Sequence, residues 1–145
     1  MKKFFVLFVS MIVFTACSDD DDSGVEGEND IVGRWYLAEV NNSGSLDYEV
    51  NDCTSQSYID FMANNTADSM FYSEVEGECV ASEDSGTWEK ASGDSRYTFL
   101  LPFAEELGPL TGEVRFNEEM DRFTFYPDFF TSLGTNIVFE KPRPL

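Results

Sequence analysis

Arg122-Phe123-Thr124-Phe125-Tyr126 alternates apolar and polar side chains with a period of two, the pattern of a strand with one buried face. Ser57-Tyr58-Ile59-Asp60-Phe61 repeats it, with Ile59 and Phe61 either side of Asp60, and in a third segment Trp35, Leu37 and Ala38 stand beside a polar Glu39. Outward from these, the chain beyond Ile31 breaks into short aromatic and β-branched segments bounded by Gly, Asn, Asp and Ser clusters. This spacing predicts eight strands: Gly33–Val40, Gln56–Met62, Asp68–Val75, Gly86–Lys90, Arg96–Leu101, Thr111–Phe116, Arg122–Tyr126 and Asn136–Lys141. The links Asn64-Asn65, Ser92-Gly93-Asp94 and Asn117-Glu118-Glu119 carry turn chemistry and imply antiparallel neighbours. Such a string closes most simply into an all-β, eight-stranded antiparallel up-and-down barrel, because closure removes unpaired edges. A two-sheet β-sandwich is the alternative.

The N-terminus has a different character. Lys2 and Lys3 precede an apolar run from Phe4 to Phe14, then Thr15-Ala16-Cys17, the order of charge, greasy core and small residues that marks a secretion signal over residues 1–16. The run falls short of the roughly 20 residues that a bilayer core requires. Phe14-Thr15-Ala16-Cys17 resembles the lipobox of bacterial lipoproteins, although Phe14 replaces the usual aliphatic residue. That resemblance implies a lipid on Cys17, an anchor in the membrane; an ordinary signal peptide ending near a cysteine is the other reading. Ser18 and the run Asp19–Asp22 read as a solvated spacer. They also resemble the signal that sends lipoproteins of certain Gram-negative bacteria to the cell-surface side of the outer membrane. Residues 17–29 are then an acidic flexible tether, and residues 30–145 the domain.

The whole chain has 145 residues and a formal charge of −19. Loss of residues 1–16 takes two of nine bases and no acid, leaving seven basic and 28 acidic side chains, or −21. A polyanion of this kind repels nucleic acid and anionic headgroups. Its length leaves room for one core. Of three cysteines one goes to the lipid, leaving Cys53 and Cys79 as an even pair that an oxidising compartment favours as a disulfide. Cys53 falls before the second strand and Cys79 after the third, at one end of such a barrel. A redox-active pair lacks the close spacing that tunes thiols.

Gly33-Arg34-Trp35 at the first strand, the two cysteines, Gly86-Thr87-Trp88-Glu89 and the final strand Ile137-Val138-Phe139-Glu140-Lys141 together resemble the bacterial lipocalin-like lipoproteins. The resemblance covers residues 31–143 and implies a barrel closed at one end, with Gly33 and Trp35 at its base and Lys141 or Arg143 covering the tryptophan. The chain departs from the animal lipocalins in lacking their threonine-aspartate-tyrosine motif, and its strands are short. These departures speak against a deep ligand cup, since side chains can fill a small barrel, but a hollow and a filled interior both stay open; Trp35 and Trp88 read as core rather than ligand contacts.

Histidine is absent, which removes the usual general base, the nucleophilic triads and the commonest zinc ligand. Glu105-Glu106 and Glu118-Glu119 are adjacent acids in polar connections, not a facing pair for glycoside hydrolysis. There is no phosphate loop or calcium loop, and Asp19–Asp22 lack a preformed cage. No enzyme, metal site or cofactor is expected. Asp68-Ser69-Met70 resembles the acceptor for bacterial O-glycosylation, which requires Ser69 to face outward; an ordinary strand serine is the alternative.

Two connections are apolar: one carries Phe103 and Leu107, the other Phe129, Phe130 and Leu133. In an up-and-down barrel both emerge at the same end. They line a ligand entrance, form a partner surface, or fold inward as a lid. The expected function is a membrane-tethered, non-catalytic binding module for a small apolar ligand or a protein partner. The alternative is a structural protein of the cell envelope with a filled barrel.

Overall fold

The computed structural model describes residues 30–44, 48–91 and 95–142. The segment expected to be a secretion signal, Cys17, the expected tether and Arg143 lie outside the described residues. The strands are β1 (Gly33–Asn41), β2 (Tyr58–Phe61), β3 (Thr66–Val75), β4 (Glu78–Thr87), β5 (Glu89–Lys90), β6 (Arg96–Phe99), β7 (Leu110–Phe116), β8 (Arg122–Pro127) and β9 (Asn136–Glu140). All pair antiparallel in one continuous sheet, ordered β4-β3-β2-β1-β9-β8-β7-β6-β5, so the sandwich alternative falls away.

The sheet curls through a half-barrel, joined by the long-range pairing of β1 with β9. Its two end strands, β4 and β5, are consecutive in the chain and interrupted only at Trp88. One bent segment thus pairs with β3 through residues 78–87 and with β6 through residues 89–90, and counted as one it restores eight strands. At that corner the Trp88 amide donates to Asn65 O at 2.9 Å and its indole Nε1–H to Met62 O, also at 2.9 Å. Beyond the corner, however, β4 runs on as a sheet edge.

The expected fourth strand, Gly86–Lys90, was too short. A two-residue turn at Glu76-Gly77, both with positive φ, reverses the chain at once and lets β3 and β4 pair over ten residue pairs, from Val75 with Glu78 to Thr66 with Thr87. Such a turn matches the twist of the strands it joins. Cys79 therefore lies within β4 and not in a loop, and it is disulfide-bonded to Cys53, Cα to Cα 5.6 Å.

The concave face holds a chain of rings. Trp35 meets Phe123 edge-on at 4.8 Å, Phe123 stacks with Phe139 at 5.1 Å, and Phe61, Phe99 and Phe125 follow at 5.1 and 4.4 Å. Every one of these side chains is buried. Tilted and edge-on ring pairs of this kind add to the stabilisation from burial. Gly112 lets β7 and β8 approach closely, since a Cβ there would stand 2.3 Å from Tyr126 O and 2.8 Å from Pro127 Cα.

One end of the sheet, the base, carries the start of β1, the end of β9 and the turns 62–65 and 117–121. Trp35 plugs it: buried, with its indole N–H donating to Ile31 O at 2.7 Å and the Lys141 ammonium 4.8 Å from its ring. The Lys141 amide donates to Asp121 O, which fixes the lysine there. Gly33, Trp35 and Lys141 lie together at this end, with Gly33 at a φ of +124° that side chains rarely adopt.

Candidate functional site

The opposite end is a rim of connections. It brings together the loop before β2 with its 3-10 turn Thr54–Gln56, the β3–β4 turn, and two helical connections, Pro102–Leu107 and Asp128–Leu133. The two apolar connections share an end, as expected.

Phe103 is half-buried and stacks on Tyr48 at 4.8 Å with the rings nearly parallel, and Phe71 lies 5.3 Å away. These three rings cap the core, so Phe103 belongs to the lid and not to an open contact surface. Among the described residues the buried Tyr48 hydroxyl meets no hydrogen-bond partner. Near it Thr54 Oγ1 donates to Glu49 O, and Ser57 Oγ accepts from the Tyr72 amide. Burial pushes the phenol's ionisation upward, only partly offset by Ser57 and Thr54.

In Asp128–Leu133 two adjacent phenylalanines part company. A 3-10 turn sends successive side chains about 120° apart. Phe130 points inward and is 3% exposed, whereas Phe129 is 65% exposed. Phe130 as a ligand contact is therefore corrected to a core residue. The connection is held in place on several sides. Asp128 pairs with Arg96, Thr131 Oγ1 donates to Asp128 O at 2.9 Å, and Gly134 closes the turn in the left-handed region. Asn42 Nδ2 donates to Gly134 O at 3.0 Å, and Thr135 Oγ1 donates to Asn42 O at 2.8 Å. Phe129 is accordingly displayed by a fixed support. Leu133 at 52% and Leu107 at 40% exposure are also open at the rim, as is Val75 beside the β3–β4 turn at 52%.

Among the described residues the inner face is lined by buried side chains, and the hollow between Ile59, Ala67 and Leu100 holds about 10 Å³, no more than a single water needs. Larger hollows lie on the outer surface and are polar, such as one of about 480 Å³ beside Asn51, Glu74 and the disulfide. Ser69 is half-buried on the side of the sheet shared by Ile59 and Phe71, with its hydroxyl toward Asp84 O at 3.4 Å. That side faces the core, which withholds the outward orientation a glycan requires. Glu105, Glu106, Glu118 and Glu119 are all exposed. Among the described residues no group of three acids or cysteines is placed to hold a metal ion.

A curled antiparallel sheet with a tryptophan-plugged base, an aromatic interior and a loop-built rim is the architecture of a small barrel-type binding module. The model of the lipocalin-like domain family matches residues 31–106, from β1 through the first apolar connection. That span is 76 of 145 residues, and the chain belongs to this family. No curated protein matches it. Residues 110–140, outside the match, supply β7 to β9 and complete the sheet against β1.

Proposed function

We propose that this chain is a non-catalytic binding module held at the outer membrane by a lipid on Cys17 and facing outward, and that it takes a small apolar ligand on its rim. Its family suggests a small-ligand binding module and generally consists of non-catalytic binding proteins. The observation that carries the reading is the exposure of Phe129 on a rigid connection above a core of buried side chains, with Leu133 and Leu107 also open. Above that packed core a ligand is held at the mouth and not in a cup. The anchor rests on the sequence around Cys17 and the outward address on Ser18 and Asp19–Asp22.

The test is titration with the neutral apolar dye Nile red. Phe129→Ser with Leu133→Ser weakens dye binding while the thermal transition is kept. Unchanged binding in that double variant removes the rim from the reading. A wild-type chain that binds no apolar probe favours the second reading, an envelope interaction protein without a ligand, for which the packed core speaks. Cys17→Ser releases the chain from membranes if the anchor is right, and protease shaving of intact cells digests the domain if it faces outward.

A further inference from the structure

We propose that the free edge of β4 is a docking strand for an extended, basic segment of a partner protein, which adds to the sheet as a further strand. β4 is ten residues long and among the described residues pairs along one side only, with β3. Among the described residues no backbone hydrogen bond leaves its other side. Alternate residues of an antiparallel strand aim both N–H and C=O the same way, so about five residues turn donors and acceptors to that side, where the Ser85 amide already donates to Asp84 Oδ1 at 2.8 Å and the others await a partner strand. An edge of this length is a template for another chain unless it is blunted. β4 contains no proline and no lysine, and no bulge breaks its ladder with β3.

Charge names the kind of occupant. The hairpin from Thr66 to Thr87 carries Asp68, Glu74, Glu76, Glu78, Glu83 and Asp84 and not a single basic side chain. A second copy of the chain brings the same carboxylates to the same edge, which opposes self-pairing. A segment with alternating lysine or arginine meets them favourably. Its apolar residues find Val80, 45% exposed on the side of the sheet shared by Phe71 through the pairs Val80–Ser73 and Phe71–Ser82. An added strand would cover that valine and extend the core. This surface is separate from the Phe129 rim contact and does not depend on it.

The experiment uses the full chain in detergent and a ten-residue peptide alternating lysine and valine. Binding slows amide hydrogen exchange across Glu78–Thr87, and methylating every peptide amide, which keeps charge and side chains, weakens it by about tenfold or more. Glu78→Lys with Glu83→Lys weakens the unmodified peptide by about fivefold, as expected for exposed cross-strand charges. Equal binding of the methylated peptide overturns the proposal, because charge alone then explains the contact. So does protection that appears at Asp128–Leu133 instead of β4, absence of any binding, or β4 protection that grows with protein concentration without peptide, which makes a second copy the occupant.

Discussion

Phe129 and Phe130 form an internal control, since they are adjacent, identical in chemistry and opposite in surroundings. An aromatic side chain buries roughly 150–250 Å² when fully enclosed, and at roughly 25 cal/mol per Å² this is about 4–6 kcal/mol, an upper bound for the native chain. Phe130 is only 3% exposed, so truncation to alanine removes nearly all of that and leaves a void, for an expected cost of about 3–5 kcal/mol. Phe129 is 65% exposed, and the remaining third corresponds to about 1–2 kcal/mol at most by the same conversion. For a domain of this size each kcal/mol moves the transition by about 3–5 °C. Phe130→Ala thus lowers Tm by about 10–25 °C, and Phe129→Ala by about 10 °C at most. Thermal unfolding followed by circular dichroism, with the disulfide intact, measures both. Equal losses, or a larger loss at Phe129, would refute the assignment of one ring to the core and the other to the rim.

Three further outcomes follow from particular contacts. Tyr48→Phe removes a buried hydroxyl that meets no partner among the described residues and stabilises the domain by about 1 kcal/mol, read as a higher urea midpoint with an unchanged slope. Replacing Cys53 and Cys79 together by serine frees a closure of 26 residues and costs up to about 3.5 kcal/mol on the chain-entropy account, seen as a gap between the variant and the oxidised chain that closes under reductant. Gly112→Ala forces a methyl to within 2.3 Å of Tyr126 O, so β7 and β8 must separate; the cost is about 1–3 kcal/mol, and a chevron with unaltered stability contradicts it.

The strands with one buried face were legible from alternation alone: β1, β2 and β8 bury Trp35 and Leu37, Ile59 and Phe61, and Phe123 and Phe125 on a period of two. β4 was not, because most of its residues are exposed and it carries acids and serines where a core-facing strand carries apolar side chains. It owes its existence to pairing with β3, a long-range property that the Glu76-Gly77 turn hints at only locally. The disulfide followed from counting cysteines. At the rim, composition located the two apolar connections but not which phenylalanine turns inward, since that depends on how Asp128, Asn42 and Gly134 anchor the loop. Tyr48 escaped notice altogether, lying in a connection without periodic pattern, and the second Gly-x-Trp gave Trp88 but not its place at the corner between β4 and β5.

The plugged base has a mechanical consequence. Ile31 and Lys141 both touch Trp35, so the two ends of the described domain meet at one pole while Phe129 stands at the other. A pull between the N-terminal side of the base and a molecule gripped at the rim therefore runs along the strands. β1 carries that load between β2 and β9, whose ladders are strained in shear, with many hydrogen bonds resisting together instead of parting one by one like a zip.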